Sequence, residues 1–320
     1  MARRGPLAAV VGALAGLLAA GPGLAPPVRA SGGRVLEKDV DLDEALRLAR
    51  VLHDDGFDVA LTRRDDTFVP LGTRAASGGG ADLFLSIHNN AGPPAYHGTE
   101  IYSQVNNPRG AAIARRLLGT ITARAGTTPR FAAARVGAHG DYYAVLRGNP
   151  AVALIVEGAY LSNRGEARRL ADGRFRQLLA EGIADGVATE LAALPHPENG
   201  PGPPPRSATD VLLDPPRDLV ATQVGVGRAL LRWAPVDHAT AYRVWRDGAL
   251  LGDVEASDRP VLVDAVSGGG VHHYQVRALL LAAGRELQQS DSALVELVIP
   301  WRIVLDPGHG GRDTGAVGRT

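Results

Sequence analysis

The chain has 320 residues, 45% of them hydrophobic, with 34 basic and 34 acidic side chains and no cysteine. That length allows one large domain or two moderate ones. Zero formal net charge gives no footprint for nucleic acid or another polyanion, and the lack of cysteine excludes disulfides, thiolate metal sites and a lipidated N-terminal cysteine.

The first segment, MARRGP followed by LAAVVGALAGLLAAGPGLA and VRA, pairs two arginines with a short apolar run and small residues at Val28 and Ala30. This is the layout of a secretory signal peptide over 1–30, cut after Ala30. Gly21, Pro22 and Gly23 interrupt the run below spanning length. The reading therefore places the mature protein outside the cytoplasm, in the periplasm or the cell wall, without stable membrane insertion.

From 31 to 194 the pattern alternates. DLDEALRLARVLHDDGF puts Leu42, Ala45, Leu46, Ala49 and Leu52 on one helical face. DVALTR reads as a strand, ADLFLSIH as a strand buried on both faces, and GTEIYS as another strand. GAAIARRLLGTITARAG is amphipathic and stops at Gly126. AVALIVE is a further buried strand, followed by helices around Arg164 to Ala171 and Phe175 to Leu194. The alternation predicts an α/β domain with a mostly parallel or mixed sheet. The segment 195–214, containing PHPENGPGPPPRS, reads as a stiff linker.

After the linker the texture changes. DLVATQV, RALLRWAP, AYRVWRDGALLGDV, RPVLVDAV and VHHYQVRALLLAAG are short strands with alternating polarity, separated by turns. They predict a small all-β sandwich over 215–300. The last stretch, 301–320, is a buried strand, RIVLD, running into a glycine-rich loop that carries a histidine.

Four segments put a metal-competent side chain at a strand end or a helix start. His309 follows RIVLD, His88 ends ADLFLSIH, Glu157 ends AVALIVE, and Glu37 precedes the first helix. Sites in α/β sheets form beyond the carboxyl ends of the strands, so these four can converge. Two histidines and one carboxylate suit zinc with the fourth position left to water, and a second carboxylate can then serve as general base. Glycines 308, 310 and 311 let backbone approach closely. His53, His196, His238, His272 and His273 read as solvated or structural, while His97 and His139 lie in loops nearer the site.

The blocks IVLDPGHGGRDTGAVG, EKDVDLDEALRLARVL, VALTRRDDTFVPLGTRAA, ADLFLSIHNNA, GTEIYS and NPAVALIVEGAYLSN together resemble the zinc-dependent N-acetylmuramoyl-L-alanine amidases of bacterial cell-wall turnover, the amidase_3 type. The resemblance implies a twisted mixed sheet flanked by helices. It implies zinc held by His309, Glu37 and His88, Glu157 as the catalytic carboxylate, and peptidoglycan as the partner of a monomeric enzyme. Asp306 is expected to support the site from behind and Arg147 to contact substrate. Asn89 stands where the family commonly has Ala, and Thr314 where Pro is usual. Between Glu100 and Glu157 no extra segment is long enough to plug the site. Region 215–300 resembles a fibronectin type III domain, with Trp233 and Tyr274 as core aromatics and a spacer role favoured over wall binding.

The block order is unusual, because the first block of the family stands last here. Joining Thr320 to Ser31 restores the ordinary order, as in a circular permutant opened in a loop. A rearranged or misassembled gene, or a truncated second amidase copy, would also put that block last. On the permutant reading the terminal segment returns as a strand of the amidase sheet and delivers His309. The functional alternatives are a wall-binding protein with a dead, incomplete site, and a zinc peptidase cutting within the stem peptide.

Overall fold

A computed structural model describes residues 34–192, 213–282 and 285–320. The expected signal peptide and nearly all of the expected linker lie outside the described residues. The chain divides into two compact units, one containing the segments up to residue 193 together with Arg302–Thr320, the other covering Leu194–Trp301. Trp301 thus falls with the second unit, one residue beyond the boundary read from composition.

The first unit begins with β1 (Arg34–Leu36), α1 (Glu37–Asp54), β2 (Asp58–Leu61), α2 (Leu71–Ala76), β3 (Leu83–Asn90) and β4 (Thr99–Ser103). It continues with α3 (Pro108–Ala125), β5 (Pro129–Ala134), the short pair β6 (Val136–Gly137) and β7 (Gly140–Asp141), β8 (Val152–Tyr160), α4 (Arg164–Ala171) and α5 (Gly173–Ala192). The second unit holds β9 (Val220–Gln223), β10 (Arg228–Arg232), β11 (Ala241–Arg246), β12 (Ala249–Glu255), β13 (Val261–Ala265), β14 (Gly270–Ala282), β15 (Arg285–Gln289) and β16 (Ala293–Ile299). The chain then re-enters the first unit with β17 (Arg302–Pro307) and β18 (Val317–Arg319).

The main sheet has the order β2-β17-β3-β8-β4-β5. β2, β17, β3 and β8 run parallel, whereas β4 pairs antiparallel with β8 and parallel with β5. The fold is therefore a mixed α/β sheet flanked by helices, as the alternation predicts. β17 is wholly buried. It lies between two partners and occupies an interior position of the sheet, which is why RIVL is so apolar. α1 and α3 pack on the sheet and both pack on α5. Asn107 caps α3 by accepting from the Gly110 amide at 2.9 Å, and the helix ends on Gly126 at φ 62°.

Side chains alternate across a strand, so Phe84, Ser86 and His88 share one face and Leu83, Leu85, Ile87 and Asn89 the other. The first face buries Phe84, Ala153, Ile155 and Val304 against Val145 and Leu146 of the turns before β8. The second meets α1, where Asn89 touches Asp41 and Glu44. α1 is buried on more than the predicted stripe, because α5 covers the side that the sheet does not.

In the second unit, β13-β10-β9 form one antiparallel sheet and β12-β11-β14-β15 another, with β16 on β14. They close over one core in which Trp233, Tyr242 and Tyr274 are buried, the first two rings 5.3 Å apart. The Tyr274 hydroxyl donates to Asp264 at 2.8 Å, satisfying its polar end. The polar, largely exposed residues of β15 hide it from a reading of hydrophobic pattern.

Candidate metal centre

The centre is built where β3, β17 and the start of α1 meet. α1 has no side-chain cap at its N-terminus. The loop after β17 supplies the partners instead. The Glu37 amide donates to the Ala316 carbonyl at 2.9 Å, the Lys38 amide to Thr314 at 3.2 Å, and the Ala316 amide returns a bond to Glu37 Oε2 at 2.6 Å. Glu37 is thereby held with Oε1 pointing inward, 3.1 Å from His88 Nδ1 and 3.1 Å from His309 Nε2. The two imidazoles stand edge to face, with centroids 5.1 Å apart.

Asp41, one helical turn after Glu37, completes the group. The four side chains each offer one ligand atom, and these atoms lie within 4.8 Å of one another. Asp41 is fully buried, and its Oδ2 has no hydrogen-bond partner among the described residues. Oδ2 lies 3.8 Å from His88 Nδ1, while Oδ1 accepts from Asn89 Nδ2 at 3.0 Å.

The backbone closes around these groups at two glycines. A Cβ on Gly308 would meet His88 Nδ1 at 2.5 Å and Asp41 Oδ2 at 2.6 Å. One on Gly315, at φ +63°, would meet His309 Cδ2 at 2.5 Å and Glu37 Oε2 at 2.6 Å. Only glycine permits this approach. His309 itself sits at φ 54°, a left-handed conformation costly for a non-glycine residue. Tethers hold it there. Arg74, ion-paired to Asp306 at 2.6 Å, donates to the carbonyls of Pro307 and His309, and Arg63 Nη2 donates to the Gly308 carbonyl at 2.6 Å. Asp313 Oδ2 lies 3.0 Å from His309 Nδ1, the far side of the ring from Glu37.

The charges are strongly perturbed. Burial alone would raise the Glu37 carboxyl, but hydrogen bonds from His309 and His88 outweigh it and hold the group far below the usual range. Burial opposes the charged form of His309, yet the carboxylates of Glu37 and Asp313 on either side of the ring push it up to about 9. Asp41 is driven well upward by burial and by the neighbouring Glu37 charge.

Glu157 lies opposite His88 in the β3–β8 ladder, on the same face. It lines a cavity of about 220 Å³ together with Glu37, His88, Asn90, Tyr143 and His309. Its Oε2 is shielded from solvent without a partner among the described residues. Burial raises its carboxyl to about 7, against the attraction of His88.

Residues 19–189 match the family model Amidase_3, N-acetylmuramoyl-L-alanine amidase. The chain belongs to this amidase family. It is 35% identical over 159 residues to the probable cell wall amidase LytH of Staphylococcus aureus, covering 49% of this chain and 51% of that one. The chain thus spans about half the length of the curated relatives it matches. Among solved structures, Cwp6 from Clostridium difficile is 30% identical with a TM-score of 0.47, covering 48% of this chain and 25% of that one. The catalytic domain of CwlV, an N-acetylmuramoyl-L-alanine amidase from Bacillus (Paenibacillus) polymyxa var. colistinus, is 33% identical with a TM-score of 0.44, covering 49% and 85%.

Of the residues singled out from sequence, the structure brings Glu37, His88, His309 and Glu157 to one cavity. Arg147 is not among the residues lining it. Its guanidinium donates to the carbonyls of Asp141 and Tyr142 at 3.1 and 3.2 Å. His97 and His139 are exposed and do not line the cavity either. Asp306 touches Thr62, Ser86 and Arg74, and reaches the His309 backbone only through Arg74. Sequence reasoning missed Asp41 and Asp313. The signal for Asp41 was its spacing of four from Glu37 on a helix, which puts both carboxylates on one face.

Proposed function

We propose that the protein is a secreted, monomeric, zinc-dependent N-acetylmuramoyl-L-alanine amidase that hydrolyses the amide between the lactyl group of N-acetylmuramic acid and the L-alanine of the peptidoglycan stem. The observation that carries this reading is the convergence of Glu37 Oε1, His88 Nδ1 and His309 Nε2 beside an unpartnered Glu157 in one cavity.

The donors fit zinc. Two imidazole nitrogens and a carboxylate oxygen are a familiar zinc set, and the buried Asp41 Oδ2, lacking any partner among the described residues, is a polar atom that a divalent cation beside it would satisfy. Glu37, His88 and His309 would hold the ion, with Asp41 beside them and Asp313 orienting the His309 ring. When bound, zinc supplies Lewis-acid polarisation of the scissile carbonyl and acidifies water. Glu157 then accepts the proton of the attacking water at a carboxylate oxygen and delivers it to the departing alanine nitrogen. A carboxyl poised near neutrality by burial suits both transfers. Asn90, whose Nδ2 donates to Glu100 and whose Oδ1 accepts from the Ala91 amide, both at 2.8 Å, offers its second side-chain N–H to the substrate. Arg147 acts by bracing the loop that carries Tyr142 and Tyr143. The β-rich unit is read as a fibronectin type III-like spacer, and the late position of β17 in the chain as a circular permutation of the amidase domain.

The test is to measure zinc content and the release of stem peptides from purified peptidoglycan. Zinc-loaded protein should release peptides whose new amino terminus is L-alanine. Release of none sinks the enzyme reading, and new amino termini at other residues would make the protein a peptidase.

A further inference from the structure

The face of the sheet that carries Glu157 continues beyond the cavity. In the ladders, His88 faces Glu157 on β8, Glu157 faces Glu100 on β4, and Glu100 faces Phe131 on β5. Partners across a ladder share a face, so these four side chains form one row from the metal centre to the outermost strand. The next row sets Ile155 opposite Tyr102 and Tyr102 opposite Ala133.

Aromatic rings concentrate along this path. Tyr96, Tyr102, Tyr142, Tyr143 and Tyr160 are five of the chain's seven tyrosines. Phe131, Tyr102, Tyr143 and Tyr142 follow one another at centroid spacings of 5.5, 4.8 and 5.1 Å, and Tyr143 lines the cavity. Phe131, Tyr96 and Tyr142 are 37, 45 and 49% exposed, which is unusual for rings that have core available.

The shelf is rigid. Glu100, only 3% exposed, accepts from Asn90, from Tyr102 at 3.0 Å, from Tyr160 and from Arg130 at 2.6 Å. Arg130 in turn lies between the Tyr96 and Tyr160 rings, at 4.8 and 5.4 Å. Arg135 lies on the Tyr142 ring at 3.8 Å. Both arginines are thus engaged by Glu100 or by rings. What the shelf presents is aromatic surface interleaved with fixed hydrogen-bonding groups.

Resting on the amidase reading, we propose that this Phe131–Tyr102–Tyr143–Tyr142 shelf is the subsite for the N-acetylated amino-sugar strand of the substrate. Pyranose rings bury their C–H faces on aromatic rings, and their hydroxyl and acetamido groups need polar partners between them. An acidic peptide would instead need a cluster of free cations, and of the shelf's two arginines Arg130 is already paired with Glu100. The shelf is continuous with the cavity, so a sugar seated there leaves its substituent at Glu157.

The test uses N-acetylglucosamine tetrasaccharide, which has no lactyl amide and reports binding independently of hydrolysis. Calorimetric or NMR titration of the full chain should show binding, weakened about tenfold by Tyr142→Ala and again by Phe131→Ala, with zinc content and circular dichroism unchanged because both rings are exposed. On polymeric peptidoglycan the same variants should raise KM and keep kcat. An absence of tetrasaccharide binding, equal binding by the variants, or a selective loss of binding to free stem tetrapeptide would each overturn the assignment. Sugar binding without any stem release would leave the subsite standing and remove the hydrolytic reading.

Discussion

Glu157 and Glu37 are both carboxylates at the same cavity, and their surroundings separate their roles. Glu37 is bonded by two imidazoles and kept ionised, whereas Glu157 is buried without a partner and lifted to about 7. Glu157→Ala should therefore retain zinc by metal analysis and lose about 10²–10⁴-fold in kcat; loss of zinc along with activity would make it a ligand. In the wild type, a proton acceptor must be deprotonated, so kcat should rise with pH through a limb at or below about 7. His309 gives a second pH signature. Its folded-state value, about 9, lies above the unfolded value of 6.5, so the metal-free fold binds the extra proton between them. That stabilisation is complete below about pH 6.5 and is lost as pH rises towards 9. Zinc must displace the same proton, so its stabilising effect should grow over the same window. Melting curves of chelator-treated and zinc-loaded protein across this range check both signs: the metal-free Tm should fall with rising pH and the zinc-induced increment should increase.

At the scale of elements, β17 and its loop do three jobs: they fill the interior of the sheet, cap α1 and present His309. Removing residues 302–320 would leave β2 and β3 with unpaired edges. We expect such a chain to be insoluble or to lose cooperative unfolding, and to bind no zinc. A gentler probe is Gly308→Ala. The added methyl meets His88 and Asp41 within bonding distance, so one of them must move. Overpacking of this kind costs about 1–3 kcal/mol. Zinc affinity should fall more than the Tm does, which chelator competition and calorimetry together would show.

At the scale of the whole molecule, the two units have separate cores. Trp233 is packed among Tyr242 and its neighbours in the β-rich unit, distant in sequence from every residue of the metal centre. Trp233→Ala should cost that unit about 3–5 kcal/mol. Calorimetry should then show one transition lowered and the other unchanged, with zinc affinity intact; a coincident drop of both would mean that the units unfold together.

Much of this was written in local patterns. Buried parallel strands read as apolar runs, so β3, β8 and β17 were legible, and their polar terminal residues pointed to His88, Glu157 and His309. Helix caps at Gly126 and the amphipathic stripe of α1 were equally local. What only the tertiary structure decided depends on register and on pairing between distant segments. Asp41 looked like one more acidic residue on an acidic helix until β17 brought Gly308 against it. Arg63 and Arg74 were two basic residues between β2 and β3 until the carbonyls of 307–309 arrived more than two hundred positions later in the chain. The row from His88 to Phe131 exists because three ladders align side chains that share no sequence period. Periodicity states which face of an element is buried; which residues meet across that face is settled by the packing of the whole sheet.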